Sequence, residues 1–291
     1  MAMKHLGIRA HDLGVFASGE ALAAQASRLG PSVPIQLAFT KVIAPVPHLT
    51  DEYVAAFAQA LKARGVWTAV LGCYINPVHP DEAIRDEQLS LFEEHLRLAP
   101  LLGNPIVGTE TGSPNPDCSF HRETYEPYML SSLYRSIERL LEAAVRHNST
   151  IGIEAVARQH TIGSIERMKN LVDHFDTPHL KVIYDPVNLV PWTGISEIDG
   201  TVRLKPSDEG QAAFFADALD AFGSKIAALH IKDYRLDEQG WKVGDLPTGT
   251  GVLNWKLLFT MLSERAINAV GLLENAEPQT MAKTLATLAA Y

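Results

Sequence analysis

Glu154, Asp185, His230 and Glu274 each end a separate short apolar run in the second half of this 291-residue chain. The runs read TIGIEAV, LKVIYDP, IAALHIKDY and NAVGLLEN, and in each the polar residue interrupts what otherwise looks like a buried strand. A carboxylate buried without a partner costs several kcal/mol, so four such interruptions in matching places need a common cause. One shared divalent metal ion supplies it. Three carboxylates and an imidazole make a hard, oxygen-rich ligand set with a position left for water or substrate. Such a set favours Mn(II), Mg(II) or Co(II), and Zn(II) is also compatible because imidazole suits it. The competing reading makes these residues strand-end polars that cap helices or pair with Lys232 or Arg235. It serves for any one of them and poorly for all four together.

The elements that must position these residues alternate along the whole sequence. Short β-branched or apolar runs begin with KHLGIRA (4–10), PIQLAF (34–39), TAVLGCY (68–74) and PIVGTET (105–111), and the four runs above bring the number to eight. Helix-like stretches lie between them at 18–29, 51–64, 81–99, 123–147, 161–174, 208–223, 254–264 and 277–290. Capping residues mark several starts, among them Thr50 before Asp51-Glu52, and Thr161 with Ser164 ahead of Glu166. Strict strand-then-helix alternation implies a parallel sheet, and eight units close the (β/α)8 TIM barrel. An open doubly wound sheet is the runner-up, but no Gly-rich phosphate fingerprint follows KHLGIRA. In a barrel the C-terminal strand ends carry the active site, which is where all four candidate ligands fall. No linker or low-complexity segment interrupts residues 1–291, so one barrel domain is expected.

Composition narrows the function classes. A net charge of -9 and the lack of a lysine or arginine cluster argue against nucleic acid as a partner. No run approaches the length of a membrane span and MAMKHLGIRA has no secretory core, so a cytoplasmic protein without membrane contact is expected. Cys73 and Cys118 offer neither a disulfide framework nor metal-finger spacing, which suits a reducing compartment.

The second half resembles the sugar isomerase/epimerase family with a xylose-isomerase-like TIM barrel. The resemblance rests on IGIEAV, VIYDPVNL, ALHIKDYR, GDLPTGTGVLNW and GLLEN. Within that superfamily the site pattern is most similar to ketose 3-epimerases, whose Glu, Asp, His, Glu set on strands five to eight holds a metal between two acid–base glutamates. The resemblance therefore implies metal binding by Glu154, Asp185, His230 and Glu274, proton transfer by Glu154 and Glu274, a sugar or keto-polyol as small-molecule partner, and homo-oligomerisation. The chemistry stands on its own logic. Chelation of a ketose acidifies the proton next to the carbonyl, and two carboxylates on opposite faces can remove it from one side and return it on the other.

Four further residues are candidates for substrate contact. His160 and Asn188 follow Glu154 and Asp185 where strands give way to loops; the epimerases carry a Glu and a His at the equivalent spacings, so both identities differ. His160 could equally cap a helix at Thr161, and Asn188 could be a turn residue before Pro191. Arg235, beyond His230, could hold a substrate hydroxyl, carboxylate or phosphate, or pair in solvent with Asp233 or Asp237. For its neighbour Lys232 a solvated charge cluster is the favoured reading. Glu110, at the end of the fourth run, faces the same rim. Segments 112–122 and 236–253 read as lids, Trp192 and Trp241 as an apolar wall or as scaffold packing, and the Gly249-Thr250-Gly251 triplet lacks the lysine of a phosphate loop.

The leading expectation is a metal-dependent sugar isomerase or epimerase working through an enediolate. A keto-polyol dehydratase of the inosose type could use the same site, with the enediolate expelling a β-hydroxyl. An endonuclease-four-type repair enzyme needs three zincs and more histidines than Cys73-Tyr74, Thr109-Glu110 and Asn188 supply. A hydride shift needs a second metal, for which Asp233 is the one obvious extra ligand. A non-catalytic sugar-binding barrel is the last alternative.

Overall fold

The computed structural model describes residues 5–291, so Lys4 of the first run lies outside the described residues. Seven parallel strands follow in chain order: β1 (Leu6–Arg9), β2 (Val33–Leu37), β3 (Val66–Gly72), β4 (Ile106–Glu110), β5 (Thr150–Glu154), β6 (Leu180–Tyr184) and β7 (Ile226–Ile231). A hairpin of β8 (Asp233–Leu236) and β9 (Lys242–Leu246) intervenes, and β10 (Val270–Leu273) closes the barrel by pairing with both β7 and β1. The expected eight-stranded barrel is thus present, and the doubly wound alternative is not.

Helices cover the outside: α1 (Gly19–Ala26), α2 (Phe39–Val42), α3 (Asp51–Lys62), α4 (Glu82–Leu98), α5 (Pro127–His147), α6 (Ile165–Phe175), α7 (Pro186–Leu189), α8 (Asp208–Phe222), α9 (Trp255–Glu264) and α10 (Pro278–Ala289). Side-chain oxygens of Ser18, Thr50, Asp81, Ser164, Ser207 and Asn254 accept first-turn amides and fix six of the starts. The cap of α6 is Ser164, so the helix begins later than Thr161, whose hydroxyl donates instead to the Gly112 carbonyl. No helix among the described residues is long and apolar enough to cross a membrane.

Inside the barrel, Val70, Ile183, Ala228 and Leu272 form an apolar layer sealed by Ile106 and Val270. Ile183 fits because its neighbours are glycines. A Cβ on Gly108 would stand 2.8 Å from Ile183 Cδ1, and one on Gly152 would stand 2.9 Å from Ile106 Cδ1. Strand side chains alternate in direction, so two residues further along β5, β6, β7 and β10 the inward positions are Glu154, Asp185, His230 and Glu274. The apolar layer is therefore the floor on which the polar set stands.

Segment 236–253 departs from the expected lid, because most of it is the β8–β9 hairpin. Asp233 anchors its root: its carboxylate accepts the amides of Tyr234 (2.9 Å), Gly249 (3.0 Å) and Leu253 (3.1 Å). With both oxygens so engaged, Asp233 organises a loop and is not available as a second-metal ligand.

Candidate metal centre

The strand ends bring Glu154, Asp185 and His230 together so that one ligand atom from each lies within 4.8 Å of the others. All three are buried, as is Glu274. His230 organises the group. Its Nε2 meets Gln36 Oε1 at 2.6 Å, while Gln36 Nε2 donates to the Tyr74 hydroxyl. Because the Gln36 oxygen accepts, Nε2 carries a hydrogen and Nδ1 is left to face the carboxylates. Nδ1 makes no well-aligned hydrogen bond, although Glu154 Oε2 lies 3.1 Å away and Glu274 Oε1 3.5 Å away. Burial opposes charge on this imidazole, yet the two glutamates outweigh it and raise its pKa to about 9. The geometry favours a positive charge at Nδ1, whether a proton or a metal ion. A buried ring nitrogen presented to carboxylates fits a divalent cation.

Each carboxylate has a second set of contacts. Asn188 Nδ2 donates to Glu154 Oε1 at 2.6 Å and so fixes its orientation. Asp185 Oδ1 accepts the Asn188 amide at 2.9 Å as the cap of α7, leaving Oδ2 for the interior. Glu274 sits between Arg9 Nη1 (3.5 Å) and Lys232 Nζ (3.3 Å). Burial pushes the Glu274 carboxyl up, but His230, Lys232 and Arg9 more than offset this and hold it at about 2. Asp185 goes the other way: burial raises it to about 6 against the pull of Lys232.

A cavity of about 480 Å³ opens onto this group, and Glu110, Glu154, His160, Asn188 and Glu274 all line it. His160 is buried with Nδ1 3.7 Å from Glu110 Oε2, and burial lowers its pKa to about 4, so it stands neutral beside that carboxyl. Burial, reinforced by the charge of Glu154, raises the pKa of Glu110. Of the segment 112–122, Asp117 and Cys118 reach the cavity.

Arg235 is a correction to the sequence reading. Asp233 and Arg235 are separated by a register shift in the hairpin, and Arg235 is exposed opposite Val243 and absent from the cavity wall. Lys232 is a correction in the opposite sense: it is buried, with Nζ 2.8 Å from Asp185 Oδ2 and 2.8 Å from Asp245 Oδ1, not solvated. Trp192 and Trp241 do not line the cavity either; Trp192 donates to the Ala157 carbonyl, and Trp241 is exposed on the hairpin. Sequence reasoning missed Gln36, Arg9, His11, Lys41 and Tyr74, which form the β1–β3 side of the site. Gln36 carried the same signal as the four ligands, a lone polar residue in the apolar run PIQLAF.

Residues 31–290 match the family described as xylose isomerase-like TIM barrel. No curated protein matches in sequence. Among solved structures, D-psicose 3-epimerase with D-tagatose from Clostridium cellulolyticum H10 superposes with a TM-score of 0.68 at 13% identity, covering 98% of this chain and 96% of that one. The IolI protein with a bound zinc atom gives 0.70 at 16% identity, over 98% and 97% of the two chains. The probable 3-DHS dehydratase AsbF involved in petrobactin synthesis from Bacillus anthracis gives 0.68 at 15%, over 98% of each. These likenesses show the fold, and the family match covers most of the sequence. The chain belongs to the xylose isomerase-like TIM barrel family.

Proposed function

We propose that this protein is a divalent-metal-dependent isomerase or epimerase of a sugar or keto-polyol. The observation that carries the reading is the convergence of Glu154, Asp185 and His230, with Glu274 on the same imidazole nitrogen, at the C-terminal mouth of the barrel. Those four residues would hold the ion. When bound, it supplies Lewis-acid polarisation of a substrate carbonyl, which makes the neighbouring C–H acidic.

The remaining work falls to side chains. Glu154 and Glu274 come from strands separated by β6 and β7, so they approach a bound ketose from different sides. One takes the proton next to the carbonyl and the other returns a proton to the opposite face, inverting that carbon. Asn188 holds Glu154 in place, and Arg9 and Lys232 hold Glu274. His160 and Glu110, side by side on the wall, would contact substrate hydroxyls.

A dehydratase is the second reading, favoured by the AsbF-like fold and by the same carboxylate pair. It differs in outcome only: the enediolate loses a β-hydroxyl as water in place of being reprotonated.

The test is proton exchange. Metal-stripped protein receives Mn(II), Co(II), Mg(II) or Zn(II) and a panel of ketoses, keto-inositols and keto-acids in deuterated water, with NMR detection at the carbon next to the carbonyl. Deuterium uptake that needs metal supports the reading, and inversion or loss of water separates epimerase from dehydratase. Exchange that proceeds equally without metal would overturn it.

A further inference from the structure

Lys232 draws on the same acids as the candidate metal ligands. Its ammonium is buried within 2.8 Å of Asp185 Oδ2 and 3.3 Å of Glu274 Oε2, and both carboxylates belong to the proposed ligand set. Its third partner, Asp245 Oδ1 at 2.8 Å, lies outside that set, on β9 of the hairpin. Asp245 is largely exposed, occupies the left-handed region with φ 57°, and accepts from Asn275 Nδ2 at 3.4 Å. Its carboxylate thus meets Lys232 on one side and Asn275 on the other.

We infer that Lys232 sets the divalent-cation affinity of this site, its ammonium competing with the ion for Asp185 and Glu274 and leaning on Asp245 of the hairpin when the ion takes them. The inference rests on the metal reading above. An ammonium and a divalent ion that share two buried carboxylates repel one another at short range, where solvent screens little. An acid outside the ligand set, placed behind the ammonium, reduces that repulsion. Asp245 stands there. The hairpin is therefore coupled to the ion through one side chain.

Calorimetric titration of the full, metal-stripped chain with Mn(II) tests this. Lys232→Met is expected to tighten Mn(II) binding by about tenfold or more, while Lys232→Arg, which keeps the charge, stays near wild type. Asp245→Asn is expected to weaken binding several-fold, and that effect is expected to shrink in the Lys232→Met background, because the lysine transmits it. Unchanged or weaker binding in Lys232→Met overturns the inference. So does a loss in Asp245→Asn that is the same size with and without the lysine. If Lys232→Met does not fold, hydrogen exchange decides: Mn(II) should slow exchange across 233–246 in wild type and not in Asp245→Asn, and equal protection in both refutes the coupling. A wild-type chain that takes up no Mn(II) would sink the metal reading itself, whereas stoichiometric uptake indifferent to Lys232 would sink this inference alone.

Discussion

Within the barrel, Gly152, Ile183, Ala228 and Leu272 stand one inward step below Glu154, Asp185, His230 and Glu274 on the same four strands. The lower positions meet carbon: Ile183 and Leu272 pack with Val70, and the missing side chain at Gly152 makes room for Ile183 and Ile106. The upper positions meet charge, with contacts of 2.6–3.5 Å among carboxylates, imidazole, amide and ammonium groups. The strands are the same and so is the direction of the side chains; only the chemistry of every second residue changes. The lower layer stabilises by apolar contact, whereas the upper layer depends on each buried charge finding a partner.

Substitutions can break that contrast. The largest effect is expected from Glu154→Gln and Glu274→Gln, each lowering metal-dependent deuterium exchange by about 10²–10⁴-fold; the melting temperature holds in Glu154→Gln and falls in Glu274→Gln, where Lys232 and Arg9 lose their buried partner. A collapse of the fold in either variant would show that the upper layer is structural as well. One step down, Leu272→Ala should cost about 2–5 kcal/mol in urea unfolding and leave metal stoichiometry at the wild-type value. If metal uptake fell in proportion, the two layers would not be separable. Gln36→Leu removes the oxygen that orients His230 and is expected to weaken metal binding about 10–100-fold in titration, and to cost about 1–3 kcal/mol of stability because the buried Nε2–H loses its acceptor.

The smallest effect contrasts two buried histidines. His95 on α4 holds the Leu91 carbonyl with Nδ1 at 2.9 Å, and burial lowers its pKa against the weaker pull of that bond and of Glu94. Its neutral form is the folded form. The stability it contributes is complete above the unfolded value near 6.5 and is lost as pH falls below that toward its folded pKa. His95→Gln should flatten this decline as pH falls below about 6.5 in denaturant titrations. A steeper decline in the variant would reverse the assignment.

How much could be read beforehand follows from the same alternation. The strand runs and their polar endings were legible because burial on both faces writes an apolar run, and a single acid in it stands out. Lys232 was misread through its neighbours in sequence, Asp233 and Arg235, although its period-two relation to His230 points it inward. Asp233 misled in turn: its oxygens serve backbone amides of a loop some sixteen to twenty residues onward, a partnership that no local pattern encodes. Arg235 looked like a rim residue because nothing in IAALHIKDY marks the break at Lys232 where one strand ends and the hairpin begins. Arg9 belongs to the first run, and its closeness to Glu274 exists only because β1 pairs with β10.

The root of the β8–β9 hairpin has a practical meaning. Asp233 pins Gly249 and Leu253 at the point where the excursion leaves β7 and returns toward α9, so its two ends are fixed to the scaffold independently of what lies between. Between those ends β9 is also tied to the scaffold, Lys242 Nζ donating to the carbonyls of Val187 (3.1 Å) and Val190 (2.9 Å). The hairpin tip, including the exposed Trp241, is expected to tolerate a change of length without disturbing the register of the eight closing strands. Hairpins of different length grafted onto this root would show what the excursion contributes at the mouth of the barrel.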